Sequence, residues 1–219
     1  MTPDGAASPQ LTPAQRAFAD GLLTSGAVKF GAFRLKLHET QPDAPLSPMY
    51  VDLRVLQSFP NAQDAAVAAL REFIAHERLK FDRYAGVPMA ATPMVAILSH
   101  LTRTPMMTPR PETKTHGAGG NINGAFTPGE TALVIDDVVT HAESKLEAAH
   151  LLEANGLVVH DVVVLIDREQ GGPAAIAAAG YTLHAAVTIS QLLEYWRETG
   201  GITQEDYDRV QAYFAANRA

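Results

Sequence analysis

Residues 131–155 limit the possible folds of this chain more than any other stretch. Residues 131–135 read TALVI, a short apolar strand, and Asp136-Asp137-Val138-Val139-Thr140 forms the crossing into a helix. Leu146, Ala149 and Leu152 recur every three residues, which predicts a helix running to about Asn155 and stopping at Gly156. Residues 158–166 then make a near-continuous apolar strand. Strands without polar alternation on either side of a helix belong to a parallel sheet covered on both faces. The expected class is therefore α/β, with a mostly parallel central sheet flanked by helices.

The rest of the chain fits around that unit. Leu11-Thr12-Pro13 reads as a staple residue, an N-cap and a first-turn proline. The helix it opens carries Phe18 and Leu22 on one face and ends near Gly26, forming a small N-terminal hood over the main domain. Strands are expected within 28–37, a proline-punctuated loop or hairpin excursion over 38–48, and a short strand over 49–53. Asn61 or Asp64 opens a helix that reaches Leu79. Gly86-Val87-Pro88 leads through a loop into a helix bearing Met94, Val95 and Leu98, and Met106-Met107 marks a short strand. Residues 110–129 are polar and glycine-rich, and a loop of that length in a compact domain is usually functional or disordered. An alanine-rich helix over 173–179 and a strand over 182–187 follow. Thr188 with Gln191, and Thr203 with Asp206, begin two C-terminal helices as capping boxes. One domain over 1–219 is expected, with 11–55 supplying the hood.

Composition removes several functional classes. The formal net charge is -7, which offers no general attraction for nucleic acid. There is no cysteine, so thiolate zinc sites, iron–sulfur clusters and a cysteine nucleophile are excluded. The first residues have neither the basic start nor the apolar core of a signal peptide, and no apolar run is long enough for a membrane span. The expectation is a cytoplasmic protein. The glycine fingerprint of dinucleotide-binding folds and the phosphate-loop lysine motif are both missing.

Asp136 and Asp137 occupy the place where open α/β sheets hold their ligands, at the carboxyl end of a strand beside a helix N-terminus. Two carboxylates there accept hydrogen bonds from sugar hydroxyls or position a hydrated Mg²⁺; alternatively, one of them only caps the turn. The loop 140–144 has backbone amides suited to a phosphate. Arg110, Lys114 and His116 put three potential cations on the long loop, an arrangement suited to a pyrophosphate leaving group or simply to a solvated surface. Arg168, between Asp167 and Glu169, would grip a planar acid through its fork, or pair internally with a neighbouring carboxylate. No dedicated metal-ligand set is expected.

Five segments in order resemble orotate phosphoribosyltransferases, members of the type I phosphoribosyltransferase fold. They are Lys29-Phe30-Gly31-Ala32-Phe33-Arg34-Leu35-Lys36 with Ser47-Pro48-Met49-Tyr50-Val51-Asp52-Leu53-Arg54; Gly86-Val87-Pro88; Arg110 to Gly117 with Gly124 seven residues on; residues 133–140; and residues 167–172 (DREQGG). The resemblance implies transfer of ribose 5-phosphate from phosphoribosyl pyrophosphate to orotate, with Mg²⁺ carried mainly on the donor. It implies that Asp136 and Asp137 hold the ribose hydroxyls and that Thr140, Ala142 and Ser144 cradle the 5′-phosphate. Arg110, Lys114 and His116 would stabilise the departing pyrophosphate, with Asp137 also in the catalytic set, and Lys29 and Arg168 would face orotate. A homodimer sharing the 110–129 loop is implied as well.

The chain departs from the family pattern at Ala142, where a glycine is usual, and at Glu143, where a small residue is usual. Pro111 replaces a lysine, and Thr140 with Glu143 reads as a capping box. These departures leave open a second reading, a divergent relative that binds a different ligand or acts as a regulatory protein.

Overall fold

Alternation along one central strand divides the molecule into two layers. The computed structural model describes residues 10–35, 37–110, 120–140 and 142–217. In β6 (Thr131–Val139), Leu133 and Ile135 pack into one core, while Ala132 and Val134 pack into the other. Successive side chains of a strand point to opposite faces, so a fully apolar strand must be covered twice. The first core is built with α1 (Pro13–Thr24), α3 (Pro60–Glu77), α4 (Ala91–Thr102) and α7 (Ile189–Thr199). The second takes Ala148, Ala149 and Leu152 from α5 (Glu143–Ala154) and Ile176 from α6 (Gly172–Ala178).

The main sheet adds β3 (Arg83–Gly86), β4 (Met106–Pro109), β5 (Ile122–Asn123), β7 (Val158–Asp167) and β8 (Thr182–Thr188), in the order β5-β4-β3-β6-β7-β8. Every neighbouring pair is parallel except β4 with β5, which is antiparallel. The hood is an antiparallel pair, β1 (Val28–Phe33) with β2 (Ser47–Val51). Helix α1 packs on α3, and α8 (Gln204–Asn217) packs on β2. Both α1 and α7 start on capping boxes, Thr12 with Gln15 and Thr188 with Gln191, which satisfy otherwise orphaned amides.

Several elements differ from expectation. β6 runs on to Val139, so Asp136 and Asp137 lie inside the strand rather than in a crossing after it. A four-residue helix, α2 (Leu37–Thr40), interrupts the predicted loop. β2 begins at Ser47 and ends at Val51, because Asp52 caps a short 3-10 turn (Leu53–Ser58) by accepting the Arg54 amide at 3.1 Å. α3 begins at Pro60, whose fixed φ suits a first-turn position and whose missing amide costs nothing there. Thr140 does not cap α5: Ala142 is the N-cap residue and makes no side-chain cap hydrogen bond.

Candidate active site

The carboxyl ends of β6 and β7 carry the site. Asp136 is buried and its side chain is fully engaged. One carboxylate oxygen, Oδ1, accepts the Asp137 amide at 2.8 Å. The other, Oδ2, meets Lys145 Nζ at 2.7 Å and the Ser144 hydroxyl at 3.5 Å. Lys145 also donates to the Val138 carbonyl at 2.5 Å, and its side chain is only 5% exposed. Cation and carboxylate are thus buried together, and each would be costly there alone.

Asp137 accepts the Val138 amide at 2.8 Å. Its carboxyl is pushed up to about 7, first by burial, then by the charge of Asp136 and a hydrogen bond to it. By strand alternation Asp137 belongs to the face of Leu133 and Ile135, the hood side. Arg54 lies within electrostatic reach of it and is held in a fork by Asp52, at 2.7 Å and 2.8 Å. Lys29 on β1 interacts electrostatically with the same Asp52, which places it in this charged cluster.

The loop after β7 is fastened to β6. The Arg168 amide donates to the Val139 carbonyl at 3.0 Å. Gly172 sits so close to β6 that a Cβ there would fall 2.4 Å from a Val139 methyl. Asp167 accepts the Glu169 amide at 2.7 Å, and the Glu169 carboxylate accepts the Ser190 amide at 3.0 Å, in the first turn of α7. Glu169 adopts a left-handed backbone at φ 56°, an uncommon conformation for a side-chain-bearing residue.

Asp167 and Glu169 both accept from backbone amides, and Arg168 has Nε and Nη2 buried and without a hydrogen-bond partner. Burial lowers the pKa of its guanidinium. Gln170 Oε1 is likewise buried and unsatisfied. Unpaired groups of this kind are rare in native proteins and point to an absent partner.

The structure therefore joins Asp136, Asp137 and Ser144 directly and links Arg168 to them through Val139. Thr140 and Ala142 flank the turn into α5, and Ala142 is buried. Arg110 follows β4, with β3 between that strand and β6; its Nη2 donates to the Gly120 carbonyl at 2.8 Å. Lys114 and His116 lie outside the described residues. Sequence reasoning passed over Lys145. The available signal was a lysine on the buried stripe of α5, in step with Ala142, Ala148, Ala149 and Leu152.

An acidic pair near the carboxyl end of a central parallel strand, a turn from that strand into α5, and a separate hood define a type I phosphoribosyltransferase fold. The chain is 36% identical over 197 residues to bovine uridine 5'-monophosphate synthase, covering 90% of this chain and 40% of that protein. It is 35% identical over 194 residues to orotate phosphoribosyltransferase of Pyrobaculum islandicum, covering 88% of this chain and 95% of the relative. The chain belongs to the orotate phosphoribosyltransferase family. The solved structure of Leishmania donovani UMP synthase superposes with a TM-score of 0.79 at 34% identity, over 94% of this chain and 43% of that one. The chain thus spans about two-fifths of the length of the synthases it matches. No protein-family model matches it.

Proposed function

We propose that this chain transfers ribose 5-phosphate from phosphoribosyl pyrophosphate to orotate, giving orotidine 5′-phosphate and pyrophosphate. The observation that carries the reading is the buried guanidinium of Arg168, 7% exposed, with two donor nitrogens and no partner. A planar carboxylate supplies the two acceptors that such a fork needs. The unsatisfied Gln170 carbonyl on the same loop complements a ring N–H, which orotate also offers.

The donor side is supported by the start of α5. Its N-cap makes no side-chain hydrogen bond, so the first-turn amides favour an anion such as the 5′-phosphate. Thr140, Ala142 and Ser144 border that position. Asp137 accepts hydrogen bonds from the ribose hydroxyls, beside Asp136.

In the reaction the bond from ribose C1 to the pyrophosphate oxygen breaks, and a bond to the orotate ring nitrogen forms as the proton of that nitrogen is released to pyrophosphate or solvent. The pyrophosphate takes the bonding pair. Positioning and electrostatics are sufficient for such an oxocarbenium-like displacement, without a covalent nucleophile. Arg110, Lys114 and His116 stabilise the leaving group, and in a homodimer the 110–129 loop serves the neighbouring copy's site. Lys29 lies on the orotate side.

Among the described residues no group of three or more metal-binding side chains is assembled. Two carboxylates, one already paired with Lys145, fit an ion that arrives on the donor's phosphates rather than one held by a protein cage. Asp137 would face Mg²⁺ there, and the ion would neutralise pyrophosphate charge.

The test is an initial-rate assay with phosphoribosyl pyrophosphate, orotate and Mg²⁺, with calorimetric titration of each substrate. Wild-type protein should form orotidine 5′-phosphate, and Lys114→Ala should lose turnover with an unchanged circular dichroism spectrum. Wild-type protein that neither turns over nor binds the donor would refute the reading.

A further inference from the structure

The two neighbouring carboxylates of β6 are not equivalent, and Lys145 makes them so. We propose that Lys145 is a positioning residue that commits Asp136 to the interior of the donor loop, leaving Asp137 as the carboxylate that meets the ribose.

Asp136 is held from α5, by Lys145 and Ser144, whereas Asp137 lies within electrostatic reach of Arg54 beside the hood, the two carboxyls staying within hydrogen-bond reach of each other. Asp136 uses one oxygen on the Asp137 amide and the other on Lys145 and Ser144. Lys145 uses two of its donors on Asp136 and on the Val138 carbonyl. It therefore ties the first turn of α5 to both sides of Asp137 along the chain. A hydrophobic residue would fill the same stripe position on α5 but would leave the Asp136 carboxylate buried and unpaired. The local charge changes too. Lys145 offsets one negative charge of the pair before a highly anionic donor, so repulsion at the phosphate turn is reduced.

This assignment rests on the proposed function, and the two fail separately. Absence of turnover in the wild type refutes the function; the variants below decide the role of Lys145. Lys145→Met should raise the KM for phosphoribosyl pyrophosphate at least about tenfold while kcat falls less than about threefold, the pattern of lost binding rather than lost chemistry. A residue needed only for stability would lower the melting temperature without that split. Adding Asp136→Asn to Lys145→Met removes the stranded charge and should bring the donor KM back to within about fivefold of wild type.

A double variant as weak as Lys145→Met alone would overturn the proposal, because Asp136 would then act on the donor itself. Should the variants not fold, carboxyl carbon resonances of the wild type decide the matter. On addition of the Mg²⁺ complex of phosphoribosyl pyrophosphate the Asp137 signal should move and the Asp136 signal should stay. Equal movement of both signals would overturn the assignment.

Discussion

Trp196 donates its indole N–H to the carbonyl of Ala19 at 3.0 Å, joining α7 to α1 across a fully buried seam. The Phe30 ring of the hood meets the same indole edge-on, with centroids 6.3 Å apart. One side chain thus binds α7, α1 and the hood together. Trp196→Phe removes the donor and part of the packing and should cost about 1–3 kcal/mol. Thermal melts of the two proteins check this, and the KM values of the folded variant should remain near wild type.

Arg168→Met should separate stability from function. The buried guanidinium has two unsatisfied nitrogens, and a buried charge without a partner destabilises the free protein. The variant should melt at or above the wild-type temperature while the KM for orotate rises about a hundredfold, the loss expected of a charged bidentate contact. A fall in melting temperature would mean that the group already has a compensating partner in the free state.

Asp137 makes stability depend on pH with an unusual sign. Its carboxyl is raised to about 7 in the folded protein, mainly by burial, so between about pH 4 and 7 the folded state holds a proton that the unfolded state has lost. Stability attributable to this group is therefore fully present in acid and declines as pH rises through that window. The melting temperature of wild type relative to Asp137→Asn should drop between pH 5 and pH 8. Donor affinity should move the opposite way, because the ionised carboxylate is the better acceptor for ribose hydroxyls; titrations at the two pH values measure it.

Glu143 is exposed in the first turn of α5, beside the turn proposed for the 5′-phosphate. A carboxylate there competes with an incoming anion for the positive end of the helix. Glu143→Gln should tighten phosphoribosyl pyrophosphate binding about two- to fivefold by calorimetry. Unchanged affinity would place the phosphate elsewhere.

The features legible in the sequence were those with a strong local signal. The apolar run of β7, the TALVI strand, the N-cap at Thr12 and the capping box at Thr188 all form where their residues predict, and Thr203 accepts the Asp206 amide at the start of α8. β3 went unread because its four residues, Arg83–Gly86, are too few to show a period; its place is fixed by pairing with β4 and β6. The Thr140–Glu143 box followed a sound local rule, but continued pairing with β7 draws β6 on through Val139 and sets the helix start at Glu143. Lys145 was hidden for a related reason. Periodicity marks its position as buried, but only the tertiary approach of Asp136 explains why a charged residue can occupy it. The pairing of Asp136 and Asp137 was visible from their adjacency, whereas their different partners, Lys145 for Asp136 and the Arg54 charge for Asp137, depend on tertiary contacts.

The contact of Gly172 with Val139, together with the bond from the Arg168 amide to the Val139 carbonyl, ties the two half-sites at one point. A side chain at position 172 would press on Val139 of β6 just before the turn proposed for the phosphate, so a change on the loop proposed for orotate would be felt on the donor side. Under the proposed function, recognition of the two substrates is consequently coupled through this junction. If the proposed reading holds, a change of acceptor specificity is tolerated more easily at side chains such as Gln170 than at the junction itself, where a new side chain meets Val139.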